Sequence, residues 1–471
     1  MPTGRGDLYC KEYFMAFKHA VAAYLVSVIL AGCGTGLTVQ PPAMTPPHGR
    51  SITPYKAPAI PVKNLQRPVK LIEPQGVITL RDALSLTMMH NPELSRAWWG
   101  VLIKETGISQ SGVRPNPEMD FEAEQFGSVG PRKGFEGAEI TFRVSQMIEL
   151  GGKRAARIRE ARLEHDTAAW EYEIRRLDVL TGATMAYISL LAAQEKAALA
   201  KETVSLAGSF AAAAGEMVKA GKVSSLEEAR ARVTLSRERI KQEQTARELS
   251  VARKQLAAFW GGTEPVFESA GGVLDSLVMV PSPENVKNTL EKNPELARWA
   301  VEMERYSSAV ELEKRRQVPD ITLSGGAGRY MDDNSTAYLM GLSVPLPLFD
   351  RNQWNRRQAE QERKRAMEER RSQETRVNNA FFRAYQELVS SYDNARVLMK
   401  EIIPTAQKTL ADAEEGYRRG KFSYLDVLEA QRTYFETREQ GIDTLAAYHT
   451  AVAEVERLTG EPIEDLRPGK R

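Results

Sequence analysis

Four stretches of the chain alternate apolar and polar positions with a period of two. In MDFEAE, Met119, Phe121 and Ala123 fall on one side, with Asp120, Glu122 and Glu124 on the other. EITFRVS sets Ile140, Phe142 and Val144 against Glu139, Thr141, Arg143 and Ser145. DITLSG alternates Ile321 and Leu323 with Asp320, Thr322 and Ser324, and YLMGLSV sets Tyr338, Met340, Leu342 and Val344 against Leu339, Gly341 and Ser343. Period two predicts strands, and their order predicts two β-hairpins, over 116–148 and 319–347. With its flanks, each run reaches the roughly 9–11 residues of a tilted membrane strand. Apolar outside and polar inside is the pattern of an outer-membrane barrel, although a soluble hairpin with one wet face alternates in the same way. In the barrel phase, Asp120, Glu122, Glu124, Glu139 and Arg143 face the lumen. There they keep a water-filled interior wet or bias passage toward cations.

Each hairpin is followed by a long helical pattern. From Lys153 to Val218 there is no proline, and charges interleave with Ala and Leu. At the α-helical rise, that segment is on the order of 100 Å long, wider than a single globular core. Its counterpart, Asn352 to Tyr417, contains Pro404, which predicts a kink. Shorter helices are predicted over Ser225–Trp260 and Tyr424–Thr459, each about 54 Å. Another pair precedes the hairpins, over Pro92–Val113 and Pro294–Arg316, each roughly 35 Å. Two short helices end to end nearly match one long helix, which suggests a tall cylinder of antiparallel helices. A coiled-coil scaffold would account for the helices alone, but not for alternating strands between them.

The turn after each long helix has one layout. In RRGKFSYLDVLEAQ, Gly420 can take the left-handed C′ position, and Ser423 with Asp426 reads S-x-x-D, a capping box opening the next helix. Asp426 and Glu429 are three apart and so share a face. VKAGKVSSLEEARAR repeats this with Gly221, Ser224 and Glu227, but Arg230 stands where the second copy has Glu429. Capping and complementing the helix dipole is a sufficient role for Asp426 and Glu227.

These matches belong to a duplication of the whole plan. LSLTMMHNPEL and VKNTLEKNPEL are offset by 202 positions, as are Pro117 and Pro319. Beyond the hairpin tips the offset is 199, pairing Gly221 with Gly420 and Gly261 with Gly460. The three-residue difference falls between Gln125 and Glu139, where a surface loop tolerates it. The resulting division is a first repeat over 78–262, a linker over 263–280, a second repeat over 281–461 and a tail over 462–471.

Composition narrows the function. Among 471 residues the formal net charge is +2, with 27% charged, which leaves no basic footprint for nucleic acid. The two cysteines, Cys10 and Cys33, lie near the N-terminus, and the five histidines are scattered. Neither a thiol nucleophile nor a zinc site is expected after Cys33. No catalytic constellation is visible, so no enzyme and no cofactor are expected. No run of 18 apolar residues occurs in the body of the chain. At the N-terminus, a cation (Lys18), an apolar stretch from about Ala20 to Leu30, and Leu30-Ala31-Gly32-Cys33 read as a secretory signal over 1–32, starting at Met1 or Met15. The alternative is an uncleaved signal anchor. A Pro-rich tether over 33–77 follows.

Four strands cannot close a barrel, and open edges cannot face lipid. Subunits must therefore share one; eight strands from two chains or twelve from three both satisfy closure.

Leu30–Cys33 resembles a bacterial lipobox, which implies lipid on Cys33 and, with Gly34 following, an outer-membrane destination. The duplicated helix–hairpin–helix plan and GKFSYLDVLEAQ resemble the TolC-type outer-membrane efflux channels. NPEL, PNPEMDFEAE, QMIELGGKR and VPLPLFDRNQ look most like their CzcC-like, cation-efflux branch. The resemblance covers about Ile78 to Gly460. It implies a mainly α protein with membrane β: a homotrimer sharing a twelve-stranded barrel, continued by an α-helical tunnel across the periplasm. It also implies a periplasmic adaptor (membrane fusion protein) and an inner-membrane, proton-driven RND pump as partners. Gly221 and Gly420 then mark the periplasmic tip, and Asp426 and Glu429 match acids that line its aperture. Glu227 and Arg230 are their first-copy counterparts, with Arg230 placed to bridge to acids. The implied function is a passive exit duct for heavy-metal cations. The rivals are the same duct for organic compounds or secreted polypeptides, a lipid-anchored scaffold without a pore, and a metal-binding lipoprotein.

Overall fold

The computed structural model describes residues 73–127, 129–130, 134–287, 289–463 and 465. The signal segment, Cys33 and most of the tether lie outside the described residues. In the first repeat, β1 (Gly76–Ile78), α1 (Leu80–His90) and α2 (Pro92–Ser111) lead to the hairpin β2 (Glu118–Glu124) and β3 (Glu139–Ile148). Then come α3 (Lys153–Lys219) and α4 (Ser225–Ala258). After β4 (Phe267–Ala270), the second repeat runs through α5 (Pro283–Lys287), a 3₁₀ turn at Leu290–Lys292, and α6 (Pro294–Arg315). Its hairpin is β5 (Ile321–Tyr330) and β6 (Thr336–Ser343). Next are α7 (Gln353–Val397), a π turn at Leu398–Ile402, α8 (Ile403–Arg418) and α9 (Tyr424–Thr459).

The two hairpins join in one antiparallel sheet of order β2-β3-β5-β6. Its register keeps the alternation in phase: Phe121 lies opposite Phe142, Phe142 opposite Ala327, and Ala327 opposite Tyr338. Asp120 opposes Arg143 and Glu124 opposes Glu139 on the other face. The β3–β5 pairing is close: a side chain at Gly326 would bring its Cβ within 2.2 Å of the Phe142 carbonyl oxygen.

The short helices do lie end to end along the long ones. α3 packs against both α2 and α4, and α9 packs against α7, α8 and α3. An asparagine makes each junction. Asn91 Oδ1 accepts from the Leu94 amide, capping α2, while its Nδ2 donates to the Phe259 carbonyl where α4 ends. Asn293 does the same for α6, accepting from Glu295 and Leu296 and donating to Leu458 near the end of α9. Both side chains are buried, so the bonds satisfy groups that water cannot reach. The apolar core lies around these junctions, with Trp260, Phe267, Tyr187 and Leu256 at one and Tyr448, Tyr385, Leu388 and Leu458 at the other.

Two expectations change. The end of the tether and the linker over 263–280 are not plain connectors, because β1 and β4 pair in parallel. Tyr187 Oη donates to the Ile78 carbonyl beside them. Strands of three and four residues carry too little periodicity to be read from sequence. At Pro404 the helix is interrupted by a π turn over Leu398–Ile402. The proline nitrogen has no hydrogen to donate and its ring crowds the carbonyl four residues back; a π turn is one way to take up the misfit. Gly441 on α9 leaves room there for Ile403, since a Cβ would meet its Cδ1 at 2.9 Å.

Candidate functional site

The long-helix turns are built alike. Gly221 (φ +67°) and Gly420 (φ +71°) adopt the left-handed conformation. The Gly221 and Lys222 amides donate to the Val218 and Met217 carbonyls, and the Gly420 and Lys421 amides donate to those of Tyr417 and Gly416. Both are Schellman closures, which need a residue that tolerates positive φ at C′. In the second turn, Phe422 folds back over Gly416, where a Cβ would come within 2.1 Å of the ring.

The caps that follow differ. Ser423 and Asp426 form a reciprocal box: Asp426 Oδ2 accepts from the Ser423 amide and hydroxyl, each at 2.8 Å, and the Asp426 amide donates to Ser423 Oγ. These bonds hold the Asp426 carboxyl below the usual aspartate range. In the first copy, Ser224 Oγ accepts from the Leu226 amide, and the box with Glu227 is not formed. Glu227 instead lies by Tyr417 and Tyr424, at the turn between α8 and α9. Its Oε2 is buried with no hydrogen-bond partner among the described residues. Burial first, then Tyr417 and the Glu227 charge, push the Tyr424 hydroxyl up to about 12. Glu227 has the length a capping box uses, yet its carboxylate lies by Tyr417 and Tyr424 and does not share Asp426's setting.

Asp426 and Glu429 are exposed and edge a groove of about 790 Å³ between α8 and α9, floored by Ala406, Ala413 and Ala430. Arg230 is exposed and makes no ion pair among the described residues.

On the sheet, Asp120, Glu122 and Glu124 share a face with Glu139 and Arg143, as the alternation requires. The second hairpin adds small residues to that face: Ser324, Gly326 and Gly328. The opposite face is apolar and exposed, with Met119, Phe121, Phe142, Tyr338, Met340 and Leu342. The structure thus gathers the predicted residues at two places: acids and one arginine on the polar sheet face, and acids beside the helical turns. No group of three or more His, Cys, Asp or Glu suited to holding a metal ion occurs among the described residues.

Sequence reasoning missed the inward setting of Glu227 and the junction role of Asn91 and Asn293. The repeated NPEL motif carried a signal for the latter, since a cap needs only the Asn side-chain oxygen and leaves its amide free for a second bond.

Comparison with known proteins agrees with this geometry. The family model "Outer membrane efflux protein" matches residues 83–262 and again 285–461, the same duplication seen in the offsets. The cobalt-zinc-cadmium resistance protein CzcC of Cupriavidus metallidurans is 35% identical over 83% of this chain and 92% of its own length. The nickel and cobalt resistance protein CnrC of the same organism is 30% identical over 50% of this chain and 56% of its own. Among solved structures, CusC superposes with a TM-score of 0.69 at 18% identity, covering 88% of this chain and 99% of that one. The open state of the MtrE outer membrane channel of Neisseria gonorrhoeae gives 0.68 at 15% identity, covering 86% and 96%. Family and fold are those of channels, not enzymes. The chain belongs to the outer membrane efflux protein family, the TolC type, and within it is CzcC-like, of the heavy-metal efflux branch.

Proposed function

We propose that this chain is the outer-membrane exit duct of a tripartite, proton-driven efflux system, passing heavy-metal cations received from an inner-membrane pump through a periplasmic adaptor. The observation that carries the reading is the four-stranded sheet itself. Within one chain, β2 and β6 each have one unpaired edge, and the sheet's apolar face stands exposed. Such a sheet is stable in lipid only when copies close it; three copies make a twelve-stranded barrel. A second exposed seam supports assembly: Leu226, Val233 and Ile240 stand seven residues apart on α4, all exposed, the spacing of a coiled-coil contact. The name of the relative CzcC supports metal ions as cargo, and lipid on Cys33 remains part of the proposal.

In a trimer, Asp426 and Glu429 would recur three times about one axis. Such a ring concentrates cations and disfavours anions at a constriction. No bond to the ion is required for such a ring to act. The test is reconstitution of the full chain into planar bilayers. Stepwise, cation-preferring conductance from a heat-modifiable oligomer is expected. A protein that neither conducts nor changes gel migration on heating would be a scaffold, and the duct reading would fall.

A further inference from the structure

The two junctions between sheet and long helix occupy equivalent places in the repeats, yet they differ: Ile148 and Leu150 are exposed at the first, but no exposed aromatic ring follows them there among the described residues. The first folds its charges inward. Glu149 is forked by Arg157, and Lys153 pairs with Asp320 at 2.8 Å. Asp320 also accepts from the Leu150 amide at 2.9 Å. A Cβ at Gly151 would meet Val318 Cβ at 2.8 Å, so this corner lies flat against the second hairpin.

The second junction turns outward. The apolar positions of β6, Tyr338, Met340 and Leu342, keep their parity beyond the strand through Val344, Leu346 and Leu348, all exposed. Phe349 and Trp354 follow, 91% and 68% exposed. Arg351 and Arg357 are exposed beside them and make no ion pair among the described residues; the Arg357 guanidinium stands 5.9 Å from the centre of the Trp354 ring. This corner is held in place. Asn352, with left-handed backbone, donates through Nδ2 to the Glu313 carbonyl at 2.9 Å, and its amide donates to Asp350 Oδ1.

An exposed apolar run, then aromatic side chains, then unpaired arginines is the order of a membrane–water boundary. Apolar groups enter the acyl region, aromatic rings sit at the headgroups, and guanidinium groups reach the phosphates. We infer that residues 344–357 form an interfacial anchor that seats each subunit in the phospholipid headgroups of the periplasmic leaflet. Its aromatic rings, Phe349 and Trp354, come from the second repeat, one set per subunit. It rests on the membrane-barrel reading, because its apolar residues continue the face assigned to lipid.

Trp354 is the probe. The full chain and its Trp354→Phe variant are reconstituted in vesicles of phosphatidylethanolamine and phosphatidylglycerol, with and without bromine on the upper acyl carbons. Conductance is recorded on the same preparations. The difference in emission between the two proteins isolates Trp354. The expected result is that both proteins conduct and that bromination reduces the Trp354 component by about half or more, as for a ring at headgroup level. Conductance with an unquenched Trp354 would mean that a neighbouring copy covers this corner, which overturns the anchor and leaves the duct standing. Absence of both conductance and quenching of any tryptophan would overturn the membrane reading, and the anchor with it.

Discussion

Asn293 and Leu458 are joined by a buried hydrogen bond of 2.8 Å that runs from the end of one helix to the start of another. Asn91 and Phe259 are joined in the same way at the same length. In each repeat a single asparagine therefore caps one helix and splices it to another. In the first repeat the splice lets helices of 20 and 34 residues run beside one of 67.

Asn293→Ala removes the cap and leaves the Leu458 carbonyl without this donor. A loss of about 1–3 kcal/mol is expected, read as a lower temperature of heat dissociation. Asn293→Asp keeps the capping oxygen but cannot donate to Leu458, and it sets a carboxylate oxygen near that carbonyl. It should therefore fail to restore stability. If Asn293→Asp matched the parent protein, capping alone would explain the residue.

The acids at the turn predict a pH dependence with a definite sign. Hydrogen bonds from Ser423 lower the Asp426 pKa below its ordinary 3.8. A carboxyl depressed in the folded state contributes stability that is present above the ordinary pKa and lost as pH falls through the folded one. Charge-based cation preference at Asp426 should follow the same window and persist below pH 3.8. Ser423→Ala should shift that component of the loss to higher pH. Asp426→Asn should remove the component and reduce the cation-to-anion permeability ratio several-fold, on the order of what loss of a charged ring produces. Reversal potentials in a salt gradient, measured across pH, check all three.

Gly416 is occupied from above by the Phe422 ring. Gly416→Ala should displace that ring and loosen the second turn, at a cost of about 1–3 kcal/mol. Adding Phe422→Ala should recover much of the loss. Amide exchange over 416–426 reports it, and equal exchange in the single and double variants would contradict the contact.

Much of this architecture was legible in the chain. Gly221 and Gly420 announce left-handed turns because few other residues tolerate positive φ. α3, α4 and α9 are uninterrupted between their caps, so Lys153, Ser225 and Tyr424 start where the pattern says. The four-stranded sheet was readable because a one-residue slip would have mixed its two faces. What stayed hidden depends on contacts between segments far apart in sequence. β1 meets β4 across nearly two hundred positions with no pattern to announce it. Ser224 and Glu227 have the spacing of a capping box, but Glu227 lies by Tyr417 and Tyr424 instead. Pro404 predicts a kink, while the π turn over Leu398–Ile402 leaves no period in the sequence to announce it. The second bond of Asn91 or Asn293 needs a carbonyl that only the fold supplies.

The central claim is that this duct carries heavy-metal cations. Its most direct test is growth of a strain lacking the chain, with and without complementation, across zinc, cobalt, cadmium, nickel, copper, silver, dyes and detergents. Sensitivity confined to some of the metals, reversed by the wild-type chain, is the expected result. Sensitivity to dyes and detergents alone would contradict the metal cargo while leaving the channel architecture in place.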